Sequence, residues 1–329
     1  MSDGELHLEL DSATSKVRRS PRTLGSPVGQ WVGISANAGS GRGEGRRAAE
    51  GLAAALEKVG IASKIAWTPD DRASMVADSA GDDGCRCLVA VGGDGTVAAL
   101  VNDRPTRPIT VLPTGTENLL SHHFRIGRRP DRLARIIREG RISALDLGSA
   151  AGRRFSLMAG IGFDADVVTR HHRARVGRGG RARPTHRGAY VEPVLLSSMT
   201  YRFPPLTIQV DPIEGGTEIL VGTTAFLFNL PRYALGLPFA PGAIGDDGLL
   251  DLVLFREAGP FQALHYLWLV LRGLHLRRAG VYHRRVRSVS ITCPETVPLQ
   301  LDGDPGGVLT PDAAFTVEVV SEGIEIIVP

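Results

Sequence analysis

The sequence predicts an α/β protein with an N-terminal parallel-sheet domain and a C-terminal antiparallel, sandwich-like β-rich domain. Two observations predict this fold class. Up to about residue 147, a short apolar run passes three times through a glycine-bearing loop into a helical pattern, which is the order of elements in a parallel sheet with helical crossovers. After residue 148, apolar and polar residues alternate one by one, as in antiparallel strands with one solvated face.

The first elements follow one another without a break. Residues 1–28 lack periodicity, and we expect a disordered tail there. A strand is predicted over 31–35 and an amphipathic helix over 46–59. A second strand over 61–67 leads into a helix over 68–80, which a Thr-Pro-Asp-Asp run introduces.

The third strand, over residues 87–91, ends in the run Gly-Gly-Asp-Gly-Thr at 92–96, and a helix follows. Glycines at such a turn allow a phosphate to approach backbone N–H groups and the positive end of the helix. Asp94 is unexpected there, because a carboxylate repels phosphate unless a metal ion or a proton transfer is involved. We interpret the turn as part of a nucleotide site; the alternative is a turn in which glycine provides only curvature.

A fourth strand over 108–112 runs into the loop at 113–118, and the first strand runs into a similar loop at 37–45. Ligands bind at the carboxyl ends of parallel strands. We therefore expect the loops at 37–45, 92–96 and 113–118 to lie on one edge of the sheet.

The second half shows its alternation over residues 206–211, 289–293 and 315–319. We expect a single helix there, over about 261–276, packed on the β-sheet. The stretch from Arg170 to Arg187 holds seven arginines and three histidines. A solvated loop is the simpler interpretation, and electrostatic contact with anionic lipid headgroups is the alternative.

The overall composition limits the class of protein. A chain of 329 residues with 43% hydrophobic and 22% charged residues is typical of a globular protein with room for two cores. A net charge of +3 is too small to indicate a nucleic-acid partner, and three cysteines without metal-ligand spacing indicate reduced thiols. With no apolar run of transmembrane length and no secretory signal, we expect a cytoplasmic protein that touches a membrane at most peripherally.

Several nucleotide-binding motifs are absent from the sequence: the P-loop, the dinucleotide fingerprint and the protein-kinase set. Six other motifs occur in a fixed order, at residues 37–41, 92–96, 113–118, 159–165, 246–251 and 301–304. Together they resemble the diacylglycerol kinase catalytic family, which includes bacterial lipid kinases and sphingosine kinases. The resemblance implies an ATP-binding domain over 29–147 and a lipid-substrate domain over 148–329, and it allows the last residues to return to the first domain.

The resemblance further implies a lipid kinase that uses ATP and Mg²⁺. The acceptor would be a hydroxyl of a diacylglycerol-like or sphingoid lipid presented at a membrane surface. Asp94 would hold the Mg²⁺ of the nucleotide. The implied ATP contacts are Asn37, Ser40, Gly41, Thr68, Gly92, Gly93, Asp94, Gly95, Thr96, Val97, Ala98, Gly115, Thr116 and Asn118.

The turn at residues 244–249 resembles the structural Mg²⁺ site of the family. Asp247 would supply a carboxylate, Ile244 and Leu249 their backbone carbonyls, and Asp164 would support the ion from across the cleft. The alternative is an ordinary hairpin turn rich in aspartate and glycine.

The catalytic base is the point at which this sequence departs from the family. The family motif is Asp-Gly-Glu, whereas this chain has Asp302, Gly303 and Asp304. The shorter side chain reaches ~1.5 Å less far, and a misplacement of that order can cost ~100-fold in rate. We expect Asp304 to act as the base with Asp302 assisting; a plain surface β-turn is the alternative.

Two other functions remain open on the sequence. One is a nucleotide kinase related to NAD kinases, which also carry Gly-Gly-Asp-Gly. The other is a catalytically impaired relative that binds nucleotide or lipid. The oligomeric state is open as well, and a homodimer is compatible with the sequence.

Overall fold

The computed structural model describes residues 22–38, 43–176, 187–212 and 216–329. Its N-terminal part alternates strands and helices as predicted. The elements are β1 (Arg22–Thr23), β2 (Trp31–Ala36), α1 (Glu44–Lys58), β3 (Ala62–Ala66), α2 (Pro69–Ala80), β4 (Cys85–Gly92), α3 (Asp94–Asn102), β5 (Ile109–Pro113), α4 (Leu119–His123) and α5 (Pro130–Glu139).

Strands β3, β2, β4 and β5 lie side by side and run parallel. Strands β2, β4 and β5 are buried along their whole length, as expected for strands covered on both faces. Helix α1 has the predicted apolar face, with Ala49, Leu52 and Leu56 buried. The predicted parallel sheet is therefore confirmed, and the carboxyl ends of its strands share one edge.

The second part is mostly strand. Its elements are β6 (Arg141–Ala150), β7 (Arg153–Phe155), β8 (Met158–Gly162), α6 (Phe163–Val176), α7 (Val191–Thr200), β9 (Leu206–Pro212), β10 (Glu218–Gly222), β11 (Thr224–Phe228), β12 (Leu250–Phe255), α8 (Pro260–Leu271), β13 (Val281–Thr292), β14 (Val297–Leu301), β15 (Asp304–Leu309) and β16 (Phe315–Ile327), with short 3-10 turns at Arg187–Tyr190 and His275–Arg277.

Antiparallel pairs join these strands in the order β15, β14, β8, β11, β12, β13 and β16. The alternation predicted for β9 and β13 is observed, because Ile208 and Val210 are buried and pair with the buried Ile291 and Val289. These residues form a second core, separate from the core of the parallel sheet. The predicted antiparallel, β-rich part is confirmed.

The expectation of a single helix in the second half is wrong. The described residues contain three longer helices there, α6, α7 and α8. Helix α6 includes Arg170–Val176, so this part of the basic stretch is not a loop, and residues 177–186 lie outside the described residues. Sequence periodicity misses α6 because its side chains show no single apolar stripe; the helix is held by packing against β14 and β15.

The two parts share strand β16. It pairs with β13 and β6 in antiparallel fashion, and its Ile326 pairs with Ile109 of β5 in parallel. The boundary predicted at residues 147–148 falls inside β6. Of the predicted tail, residues 1–21 lie outside the described residues, whereas Arg22–Thr23 form β1 and pair with β6.

Candidate active site

The loops after β2, β4 and β5 meet at the carboxyl edge of the parallel sheet. The N–H of Asn37 donates to the carbonyl of Val91 at 3.2 Å, and the N–H of Thr114 donates to the carbonyl of Gly92 at 2.9 Å. A Cβ on Gly115 would lie 2.6 Å from Cα of Gly93. The second and third loops therefore touch backbone to backbone. Residues 39–42 of the first loop, including Ser40 and Gly41, lie outside the described residues.

The glycines at 92–95 serve two purposes. A Cβ on Gly92 would lie 2.0 Å from Oγ1 of Thr96, and a Cβ on Gly93 would lie 3.2 Å from Cα of Gly115. At Gly92 the protein itself excludes a side chain, and at Gly93 a side chain would press on the third loop. Gly95, by contrast, is exposed on the first turn of α3. The N–H of Thr96 in that turn donates to the carbonyl of Gly93 at 2.9 Å. The start of the turn, at Asp94 and Gly95, is a helix N-terminus, the kind of site that binds phosphate.

Asp94 joins two of the loops. Its carboxylate accepts hydrogen bonds from the N–H groups of Leu119 at 3.1 Å and Leu120 at 3.3 Å, and so caps the N-terminus of α4. Burial raises the pKa of Asp94 to about 6, against the lowering effect of these two bonds. Asp94 therefore has a structural task, and a role as ligand of the nucleotide's Mg²⁺ stays a prediction.

Asn118 closes the third loop. Its Oδ1 accepts from the N–H of Gly115 at 2.9 Å, and its Nδ2 donates to the carbonyl of Gly115 at 2.6 Å. The residue is buried and has a positive φ of 51°, a conformation that asparagine tolerates better than most residues. Its side chain positions the loop, so a direct contact with nucleotide stays a prediction.

Thr68, Val97 and Ala98 are three more of the predicted ATP-contact residues. Thr68 caps α2: its Oγ1 accepts from the N–H of Asp71, whose carboxylate accepts from the N–H of Thr68, both at 3.1 Å. The side chains of Val97 and Ala98 are buried in α3. Only their backbone could face a ligand.

The turn between β14 and β15 brings the C-terminal part to this edge. Asp302 and Gly303 both have positive φ, 51° and 85°, as the two central residues of a type I′ hairpin turn do. The carboxylate of Asp302 is buried and accepts four hydrogen bonds at 2.8–3.0 Å. The donors are the N–H and Oγ of Ser156 and the N–H groups of Leu157 and Met158. Burial raises the pKa of Asp302, and these bonds oppose that rise. Asp302 anchors the turn.

Asp304, the first residue of β15, lies over the first turn of α3. A Cβ on Gly95 would lie 3.2 Å from Oδ2 of Asp304. No hydrogen bond or ion pair engages the Asp304 carboxylate within the part of the chain that the structure describes. The Asp304 carboxylate thus borders the helix end at which phosphate would bind.

A buried polar network supports the turn from behind. The Nε2 of Gln300 donates to Oδ2 of Asp164 at 2.9 Å, and the hydroxyl of Tyr233 donates to the same oxygen at 3.3 Å. The Oε1 of Gln300 accepts from the N–H of Gly303 at 2.8 Å. A Cβ on Gly160 would lie 2.6 Å from Nε2 of Gln300, so the glycine of the 159–165 motif makes room for the network. Burial raises the pKa of Asp164 to about 6.

Comparison with known proteins gives the family. The diacylglycerol kinase catalytic domain matches residues 32–150, and the YegS C-terminal NAD kinase beta sandwich-like domain matches residues 159–328. The chain belongs to the diacylglycerol kinase catalytic family.

Two proteins similar to this chain carry the name diacylglycerol kinase. A Mycobacterium tuberculosis protein named diacylglycerol kinase is 28% identical over 277 residues, which cover 80% of this chain and 85% of the relative. One from Staphylococcus carnosus, also named diacylglycerol kinase, is 27% identical over 262 residues, covering 77% and 82%.

Solved structures share the fold. A Bacillus anthracis structure superposes with a TM-score of 0.70 at 18% identity, covering 91% of this chain and 98% of that one. A second, described as a diacylglycerol kinase from the same species, has a TM-score of 0.63 at 16% identity and covers 91% and 97%.

The turn that resembles the structural Mg²⁺ site of the diacylglycerol kinase family is held here by side chains. Asp247 forms an ion pair with Arg285 through one carboxylate oxygen, and its other oxygen accepts from the N–H of Leu249 at 3.2 Å. Burial raises the pKa of Asp247, against the attraction of Arg285. The described residues contain no group of three or more His, Cys, Asp or Glu side chains that could hold a metal ion.

As arranged, this turn does not fit a divalent cation, because Arg285 neutralises the carboxylate that would bind it. Asp164 bonds instead to Gln300 and Tyr233. The ligand set Ile244, Asp247, Leu249 and Asp164 stays a prediction, and we assign it no part in the reaction.

Sequence reasoning missed several residues of the site. Gln300 is fully buried in an apolar strand beside Asp302; a polar residue at a core position was a usable signal, since buried polar groups find partners. Nothing in the pattern singled out Tyr233. A cavity of about 310 Å³ beside the third loop was also missed. It is lined by Pro113, Asn118, Ser121, His122, Arg125, Ile126, Gly127 and Arg128.

Proposed function

We propose that the protein is a lipid kinase that transfers the γ-phosphoryl group of MgATP to a hydroxyl of a diacylglycerol-like or sphingoid lipid. The observation that carries the proposal is the position of Asp304, whose carboxylate lies over the first turn of α3. Family membership and relatives named diacylglycerol kinase support the reaction class.

The proposed reaction uses few protein groups. The N–H groups at the start of α3 and the two touching glycine loops would hold the phosphates of the nucleotide. Asp94 would hold the Mg²⁺ of the nucleotide, which would offset part of the phosphate charge. Asp304 accepts the proton of the acceptor hydroxyl while the oxygen of that hydroxyl attacks the γ-phosphorus. The bond from the γ-phosphorus to the bridging oxygen breaks, and ADP leaves with the electron pair. Asp302 and the Gln300 network hold the turn in place.

Labelled ATP tests the proposal. Purified protein with Mg²⁺ is offered diacylglycerol, sphingosine, NAD and a total lipid extract in separate reactions, and labelled products are identified by mass. We expect label on a lipid and its loss in Asp94→Asn, which keeps the side-chain volume but removes the charge and one of the two acceptor oxygens that cap α4. Label on NAD alone would favour a nucleotide kinase, and nucleotide binding without any labelled product would favour a non-catalytic relative.

Replacing Gly115 by alanine is expected to weaken ATP binding. Its Cβ would lie 2.6 Å from Cα of Gly93, so the two loops must separate. Overpacking of this kind costs about 1–3 kcal/mol, and where the nucleotide-bound arrangement of the loops bears that cost, affinity falls by about 5- to 140-fold. Calorimetric titration with a non-hydrolysable ATP analogue measures the change. Gly81→Ala is the control, because no atom lies within 4 Å of its Cβ. Equal affinity of the Gly115 variant and wild type would contradict the proposed role of these loops.

A further inference from the structure

Helix α7 exposes an apolar stripe. Val191, Leu195 and Met199 are spaced four residues apart and all are exposed, Met199 to 81%. Residues at this spacing lie on one face of a helix. Pro193 and Ser197, on the opposite face of the helix, are buried, so the exposed stripe lies on the outer side of α7.

Helix α8 exposes a second stripe. Phe261, Leu264, Trp268 and Leu271 recur at helical spacing and are exposed, Phe261 to 82% and Trp268 to 48%. The helix contains no charged residue, and its other face packs on the sheet, where the Tyr266 ring lies 4.6 Å from the Phe255 ring. The expectation that this segment packs on the β-sheet therefore describes one of its two faces.

The two helices pack against each other. Their stripes together leave seven large apolar side chains exposed on neighbouring helices, a concentration that indicates an interaction surface. We call this surface the α7–α8 face. Helix α6 contains Asp164 of the buried network behind the Asp302–Asp304 turn and packs against α7, so one helix connects the α7–α8 face with the candidate site.

The charges at the ends of these helices are basic. Arg202 follows α7, while Arg272 and Arg277 follow α8, and all three are exposed. The Arg272 guanidinium lies 5.9 Å from the centre of the Trp268 ring. Residues 258–279 contain no acidic residue. Of the nearby carboxylates, Glu257 forms an ion pair with Arg278, which leaves Glu192 on α7.

We propose that the α7–α8 face docks onto an anionic bilayer, with its apolar stripes in the interface and Arg202, Arg272 and Arg277 against the headgroups. Apolar side chains flanked by arginines, with a tryptophan among them, have the composition that the membrane interface favours. The described residues contain no helix long and apolar enough to cross a membrane. The proposal adds to the proposed function the surface at which the lipid acceptor is met.

Vesicle binding without ATP tests the docking directly. Sedimentation compares wild type with the triple variant Met199→Ser, Phe261→Ser and Trp268→Ser. The vesicles consist of phosphatidylcholine alone or of phosphatidylcholine with about 30% of the anionic lipid phosphatidylglycerol. We expect salt-sensitive binding to the anionic vesicles, a blue shift of the Trp268 emission, and at least about a tenfold loss in the triple variant. The matched control Ile219→Ser with Val221→Ser removes exposed apolar side chains from β10 instead and should bind as wild type does.

The activity assay separates this proposal from the proposed function. The triple variant should phosphorylate a dispersed short-chain acceptor as wild type does and lose activity only on vesicles. Vesicle binding that follows the expected pattern without any lipid phosphorylation would sustain the docking surface and end the proposed function. Unchanged vesicle binding of the triple variant would overturn the docking surface. So would a wild-type dimer on size exclusion that the same substitutions dissociate, because the face would then join two copies of the chain.

Discussion

Asp304→Asn is expected to lower kcat by about 10³-fold, the middle of the range for loss of a general base, with little change in the KM for ATP. The amide keeps the size of the side chain but cannot take the proton of the acceptor hydroxyl. Because no described residue bonds to the Asp304 carboxylate, the melting temperature should stay close to that of wild type. Steady-state kinetics on the identified lipid and a thermal melt of the same preparation measure both quantities.

Asp304→Glu is the informative companion, since it restores the family's longer side chain. Asp304 already borders Gly95, so we expect the glutamate variant to stay within about tenfold of wild type, far above the asparagine variant. If Asp304→Asn retained the wild-type kcat, Asp304 would not be the base, and the proton would have to leave by another route.

Asp302→Asn is expected to lower the free energy of unfolding by about 2 kcal/mol. The carboxylate accepts hydrogen bonds from backbone N–H groups, whereas the amide would place its own NH₂ donor against them. The donors are the N–H groups of Ser156, Leu157 and Met158. Activity should fall as well, by about 100-fold if the turn shifts by about 1 Å. Urea unfolding and kcat report the two effects.

Measurements of stability therefore distinguish the two aspartates. A change at Asp304 should lower kcat and leave the free energy of unfolding unchanged. A change at Asp302 should lower the free energy of unfolding and, through the position of the turn, kcat as well. Stability unchanged in Asp302→Asn would show that the four hydrogen bonds contribute little and would return Asp302 to the role of an assisting base.

The parts of the site that could be predicted from sequence are those set by neighbouring residues. A strand, a glycine turn and a helix follow each other within about ten residues of Gly93, and the rule that ligands bind at the carboxyl edge places three such loops together. The Asp-Gly pair at 302–303 likewise predicts its hairpin turn. Local chemistry decides these features.

The parts that could not be predicted depend on distant residues. The anchor of Asp302 is Ser156, 146 positions earlier, and the partner of Asp164 is Gln300, 136 positions later. Arg285 pairs with Asp247 across 38 positions, and no spacing rule connects them. Helix α6 has no apolar stripe to reveal it, because its packing against β14 and β15 supplies the stabilisation that its sequence pattern does not show.

The strand shared by both parts has a consequence for synthesis. The hydroxyl of Thr110 in β5 donates to the carbonyl of Ile327 at 3.0 Å, across 217 positions. Domains tend to fold as they leave the ribosome, N-terminal first. Here, however, the edge of β5 that faces β16 stays unpaired until β16 has been made. An open edge of this kind invites pairing with other chains. The nascent protein therefore exposes this edge of β5 until its last strand has been made.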